Sequence, residues 1–338
     1  VLRYLVRRLL WAGVLFLAVT LVTFLIFNVI PADPAALTAG KAATQEDIER
    51  AAQYLGTDQP VWKQYLYFLN RLSPYGKEMI TPGEYGDWVF KVPSLGQSFA
   101  TRRGVNDVVA AAAPVTASLV LGGALLWMAM AVPIGVLCAL RPRSLLDRGA
   151  TVLVLVGISA HPLWIGLILS YVFGYELGLF PISGYCDMID PATGCGGPLQ
   201  WAYHLVLPWF TFAVLFTATY VRMIRAQVLE TLNEDYVRTA RAKGAPESRV
   251  LRAHVLRNAL LVVVTMLGMD LGLALGGAIF TETVFGLPGL GRELVQSLAS
   301  FDMPVTQGIV VFSTVCILVV SLLVDLAYAV IDPRIRLT

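Results

Sequence analysis

Between residues 114 and 139 the chain passes no Asp, Glu, Lys or Arg. About 20 residues of helix cross a bilayer. Backbone in lipid has no water to bond, so it must satisfy its own N–H and C=O groups, which an apolar run of this length does as a helix. Five more predominantly apolar stretches follow the same rule, at 9–30, 149–174, 204–224, 259–280 and 306–330. Only 14% of the residues are charged, against roughly a quarter in soluble domains. The chain reads as an all-α polytopic membrane protein with six transmembrane helices. A net charge of +2 is too small to argue for nucleic acid.

The first apolar run exceeds the about 7–15 residues of a signal-peptide core. The "PADPAAL" after it is a poor cleavage site, so the run is expected to stay as an anchor. Orientation follows from where the cations fall, because Lys and Arg in short loops stay on the cytoplasmic side. Arg3, Arg7, Arg8, Arg141, Arg143, Arg148, Arg238, Arg241, Lys243, Arg249, Arg252, Arg257, Arg334 and Arg336 share one side, and the short loops opposite hold only Arg292. Both termini are therefore expected in the cytoplasm of a cell with this chain in its cytoplasmic (inner) membrane.

The chain divides into a cytoplasmic start with the first span (1–30), an extracytoplasmic lobe (31–113) and a five-helix core (114–338) holding a cytoplasmic hairpin at 226–258. In the lobe, Thr44 is expected to cap one helix and Gly56 to end it. Val61, Tyr65, Phe68 and Leu72 mark one face of the next helix, and "SPYGKEMITPGEYGDW" reads as an exposed loop. Cys138 and Cys316 are packing residues inside spans. Cys186 and Cys195 share an outer loop in an oxidising compartment, where they form a disulfide or remain two free thiols.

The hairpin stretch "NEDYVRTARAKGAPESRVLRAHVLRN" (233–258) is basic and helical. Asn233 is expected as the cap, Glu234 and Asp235 at the positive helix end, and Arg241 and Lys243 at the negative end. Gly244 stops the helix, and Pro246 starts a second one as a first-turn proline. Tyr236, Val237 and Ala240 form a small apolar patch, and a helix this short needs a docking surface. Anionic headgroups could supply it, but the acids in the first turn favour a soluble partner. No G-x-x-x-x-G-K-[ST] phosphate loop occurs, and no H-E-x-x-H or G-x-S-x-G. The three histidines, His161, His204 and His254, lie too far apart along the spans to share a metal. The chain is not expected to be an enzyme.

The hairpin resembles the cytoplasmic "EAA" loop of ABC importer permeases, which runs Glu-Ala-Ala, three residues, Gly, nine residues, then Ile-x-Leu-Pro. Arg238, Thr239 and Ala240 stand at the Glu-Ala-Ala and Gly244 at the Gly. His254 to Arg257 stand where Ile-x-Leu-Pro falls, a departure similar to the dipeptide and oligopeptide permeases with "DYVRTARAKG" and "H-x-LRNAL". "LRYLVRRLL", "IPADPA", "LGTDQPVWKQYLYFL", "ETVFGLPGLGREL" and "DPRIR" match further landmarks of that family's B-type subunit, in order. The outer stretch "SPYGKEMITPGEYGDWVFKV" is longer than the family pattern.

The resemblance implies a type I importer permease working beside a second permease, two ATPase subunits that carry ATP and Mg, and an extracytoplasmic peptide-binding protein. It implies that Glu234, Asp235, Tyr236, Val237, Arg238, Thr239, Ala240, Arg241, Lys243 and Gly244 couple the chain to the ATPases. Tyr236, Arg238, Thr239 and Ala240 would form the contact face. The chain itself holds no cofactor or metal. Asp270, near mid-span, either meets the amino terminus of a passing peptide or makes a structural hydrogen bond. Gly268, Gly272, Gly276 and Gly277 around it suit close helix packing. Glu282 stands on the translocation path or in an ordinary connector. Pro133 and Pro162 kink their spans, His161 is a packed side chain, and Asp325 pairs with Arg222, Arg225 or the tail arginines. A secondary transporter or channel is the rival reading, but the two halves show no inverted repeat.

Overall fold

The computed structural model describes residues 2–29, 36, 44–55, 59–81, 84–98, 100–189, 195–275 and 278–331. Gly56, Gly276, Gly277, most of the "PADPAAL" stretch, the tail arginines and the side chain of Asp325 lie outside the described residues.

Helix α1 (Leu2–Phe24) runs on through a π-helical turn at Leu25–Val29. The lobe holds α2 (Gln45–Leu55) and α3 (Val61–Leu72), then strands β1 (Tyr75–Thr81) and β2 (Glu84–Phe90). The core is α4 (Val105–Leu140), α5 (Leu145–Ser159), α6 (Pro162–Leu169) with a π-helical extension Ser170–Glu176, and α7 (Pro198–Leu232). Then come α8 (Asp235–Ala242), α9 (Glu247–Arg249), a π-helical stretch Val250–Leu256, α10 (Arg257–Leu275), α11 (Ile279–Val284), α12 (Leu290–Ala299) and α13 (Met303–Ile331).

Among the described residues, five helices are long and apolar enough to cross a membrane, at Val6–Phe27, Val105–Leu140, Pro198–Leu232, Glu247–Leu275 and Met303–Val324. The remaining apolar stretch is not one rod but two arms, Leu145–Gly157 and Pro162–Glu176, set at 105°. Proline disfavours helical backbone at the residue before it. His161 accordingly takes extended backbone and caps α6, its Nδ1 accepting from Leu163 N at 3.3 Å. Instead of being packed, it is an exposed cap with Phe280 against its ring.

The bundle centres on α4 and α7. Lipid is as apolar as Leu, so helices in a bilayer gain by close approach more than by leaving water. Glycines permit that approach here: a Cβ on Gly122 would lie 2.2 Å from the Trp209 ring, and one on Gly135 2.8 Å from Ile224. Between the two helices Trp127, fully buried, stacks on Phe216 at 4.5 Å and lies 5.9 Å from Tyr220. Helix α10 meets α13 through a second small-residue contact, where a Cβ on Gly268 would fall 1.9 Å from Val324.

The turn between α4 and α5 is tied to α7 by a pair the sequence reading did not anticipate. Asp147 is buried, and the Arg225 guanidinium donates to both its oxygens, Nε at 2.6 Å and Nη2 at 2.9 Å. Arg225 is thus engaged by Asp147. The local signal was Ser144, whose Oγ accepts from Asp147 N and starts α5.

In the lobe, Thr44 caps α2, and its N–H and hydroxyl hold the Asp47 carboxyl below the ordinary carboxylate range. Helix α3 docks on the outer part of the bundle: Phe68 is buried with Phe24 and Val311, and Tyr65 Oη shares a 3.1 Å hydrogen bond with Thr20. Val61 departs from the expected face and is exposed. The stretch read as a loop is a twisted antiparallel ribbon, with Tyr75 opposite Phe90 and Lys77 opposite Trp88. Tyr75 stacks on Trp88 at 5.4 Å, a cross-strand contact that outweighs the turn residues around it.

Candidate coupling hairpin and outer clamp

The hairpin begins where α7 runs out. Asn233 closes α7 by donating from Nδ2 to Leu229 O at 2.9 Å, so it is not the cap of α8. That place falls to Glu234, through its backbone. Helix α8 ends in a complete Schellman motif: Ala245 N bonds Ala240 O at 3.2 Å, Gly244 N bonds Arg241 O at 2.9 Å, and Gly244 has φ +78°. A side chain at that φ is strained, which is why glycine occupies the reversal. Arg241 then staples the two arms together, donating to both carboxylate oxygens of Glu247 at 2.6 and 3.2 Å. Pro246 precedes α9 as its N-cap, one position earlier than expected.

One face of the hairpin is locked to the subunit. Val237, Val250 and Val255 are fully buried in the main core, and Ala240 packs beside them. Tyr236 is partly exposed, with its Oη accepting from Asn258 Nδ2 at 2.8 Å. The opposite face is solvent: Glu234, Asp235, Arg238, Thr239, Arg241 and Lys243 are all exposed. Asp235 and Arg238 pair on that face at 3.6 Å. Of the residues expected to touch a partner, Val237 and Ala240 point back into the chain itself.

Within the bilayer, Tyr220 Oη donates to Asp270 Oδ2 at 2.6 Å and links α7 to α10. Tyr220 is fully buried and Asp270 half-buried. Among the described residues, no cation pairs with Asp270.

Glu282 is fully buried. Its Oε1 accepts from Thr116 Oγ1 at 2.7 Å and its Oε2 from Arg292 N at 3.0 Å. Thr116 Oγ1 in turn accepts from Leu290 N at 2.8 Å. Gly289 and Gly291 let the chain wrap this closely, since a Cβ on either would sit within 2.9 Å of the carboxylate. Burial pushes the Glu282 carboxyl up, while the hydrogen bonds from Thr116, Arg292 and Gly291 pull it back. The carboxylate thus caps α12 and clamps it to α4. Both oxygens are engaged, so in this conformation Glu282 presents nothing to a passing solute.

Beside the clamp, an open cleft of about 710 Å³ lies between the starts of α4 and α13 and the later turns of α12. Arg103, Asp107, Asp187, Glu293 and Asp302 line it. Asp302 closes one wall by accepting from Ser98 Oγ at 2.5 Å, which joins the lobe's exit segment to α13. The loop carrying Asp187 is stapled by a Cys186–Cys195 disulfide, with Cα atoms 5.4 Å apart. His204 Nδ1 lies 3.3 Å from Cys186 Sγ.

Comparison with known proteins gives this geometry a context. Residues 131–337 match the family described as "Binding-protein-dependent transport system inner membrane component", and residues 1–120 match the N-terminal family of the same membrane components. The dipeptide transport system permease protein DppB of Escherichia coli K12 is 36% identical over 355 residues, covering 99% of each chain. The di/tripeptide transport system permease protein DppB of Pseudomonas aeruginosa is 35% identical over 336 residues, covering 95% of each. A peptide transport system permease protein of Brucella abortus is 36% identical over 326 residues, covering 95% of this chain and 94% of its own.

Proposed function

Because this chain belongs to the inner-membrane components of binding-protein-dependent transport systems, we propose that its α8–α9 hairpin is the lever through which ATPase partners drive peptide uptake. The chain is a non-catalytic permease subunit of an ABC importer for peptides, sitting in the membrane as a multi-pass protein. Importers of this family combine a permease pair, ATPase subunits and a substrate-binding protein.

The observation that carries the lever reading is the two-faced anchoring of α8. Val237, Val250 and Val255 pack the inner face into the main core, and Gly244 and the Arg241–Glu247 staple set the angle between the arms. Force applied to Asp235, Arg238, Thr239 and Lys243 on the outer face therefore passes to α7 and α10 rather than dissipating in a loop. Asp270 is the candidate path group, because one oxygen is committed to Tyr220 and it lies half-buried between two helices that the lever would move. Glu282 acts as the outer clamp, holding α12 beside the cleft where a peptide would enter.

Single cysteines at Arg238 and Thr239 test the lever reading. In the assembled transporter they should form cross-links to the ATPase subunits, and peptide uptake should stop when the cross-link forms. Efficient cross-links from Asn258 or Arg252 with none from Arg238 or Thr239 would overturn it.

A further inference from the structure

A groove opens on the outside of the bundle between α4, α5 and α7, enclosing about 680 Å³. Ile134, Leu146, Leu153, Phe210 and Val221 line it, and Leu146 and Leu153 are largely exposed. Along α7 it runs from Phe210 to Val221, about 16 Å at 1.5 Å per residue. That is half of a hydrocarbon core about 30 Å thick, so the groove belongs to one leaflet. Its lower end is the turn between α4 and α5, with Arg141 and Arg143 in the turn and Arg148 at the start of α5, all exposed. Exposed Arg222 stands next to Val221 on α7. The acid at this end, Asp147, is already neutralised by Arg225 and by Arg143 N at 2.9 Å. Among the described residues, no carboxylate pairs with Arg141, Arg143 or Arg148.

We propose that this groove is a binding site for an anionic phospholipid of the cytoplasmic leaflet, with an acyl chain along α5 and its phosphate among the arginines of the turn. The apolar wall accepts one acyl chain of any lipid, but only an anionic headgroup balances a ring of cations with no acid left to pair. Basic pockets between helices on the cytoplasmic side bind anionic headgroups on these grounds. A helix of the second permease would fill the apolar wall equally well, yet it would leave the arginine ring uncompensated.

The test uses the assembled transporter in nanodiscs, with photoactivatable phosphatidylglycerol and photoactivatable phosphatidylcholine compared at equal dose. Phosphatidylglycerol adducts should map to peptides spanning 134–154 and 210–221. The combined Arg141→Gln, Arg143→Gln and Arg148→Gln variant should lose that labelling on the order of tenfold, while phosphatidylcholine labelling stays unchanged. Ala150→Phe, which fills the groove without touching the charges, should remove labelling by both lipids. Co-purification of the ATPase subunits checks that each variant is assembled. Equal labelling by the two lipids, or labelling by neither with cross-links to the partner permease instead, overturns the proposal.

Discussion

At one end of the bundle the hairpin is held by three buried valines, whereas at the other end α12 is held by one buried carboxylate. Contacts among Val237, Val250 and Val255 are non-directional, and a small rotation of α8 costs little as long as the side chains stay packed. The contacts of Glu282 are directional hydrogen bonds that fail together when an angle changes. On the lever reading proposed above, the hairpin end would transmit a push and the clamp end would hold one geometry until it releases.

This contrast can be broken most sharply at Glu282. Glu282→Ala leaves the Thr116 hydroxyl and Arg292 N–H without acceptors, at roughly 1–3 kcal/mol for each orphaned donor. We expect a marked fall in the melting temperature of the purified complex, with Glu282→Gln losing less than half as much. Equal losses for the two variants would show that the second acceptor oxygen, which Gln lacks, and not the shape of the side chain, makes the clamp. Next in size is Gly244→Val, which forces a β-branched residue to positive φ at a cost of about 1–2 kcal/mol. Peptide-stimulated ATP hydrolysis should uncouple from uptake in sealed vesicles, although the chain still inserts. Val237→Ala removes two methylene-sized groups from the anchor, about 0.8 kcal/mol each. It should lower the ratio of peptide transported to ATP hydrolysed while leaving affinity for the ATPase unchanged. The smallest effect is expected from Tyr220→Phe, since interhelical hydrogen bonds in membranes average about 0.6 kcal/mol. Uptake should rise or fall with peptide charge at the amino terminus, as Asp270 is freed; a charge-independent change would assign Asp270 a purely structural bond.

Much of the hairpin could be read in advance because its determinants are local. Gly244, the acids before it and the cations after them act within one or two helical turns, and the Schellman geometry follows from a single glycine. The lobe's Thr44 cap was readable for the same reason. The features that escaped are those in which distant residues outvote local ones. Gly, Pro and Ser between residues 73 and 86 suggest a loop, but pairing of Tyr75 with Trp88 and Phe90 makes a ribbon of it. Asp147 looks like an ordinary first-turn acid until Arg225, far along the chain, reaches it. Glu282 stays open between the path and an ordinary connector on sequence alone, and only the approach of Thr116 shows it capping the next helix. Val237 was rightly seen as apolar, but a stripe on a short helix does not say which neighbour it faces.

The 105° break at His161–Pro162 has a consequence for the membrane itself. Helix α5 has 15 residues, a rise of about 22 Å, and the chain then turns aside instead of completing the crossing. On this flank the protein offers lipid a wall shorter than the about 30 Å of a typical hydrocarbon core. Lipids there must tilt or compress to avoid exposing their tails, at a fraction of a kcal/mol per ångström. A bilayer deformed in this way would be thinner beside α5, and its elastic energy would bear on the angle between the two arms.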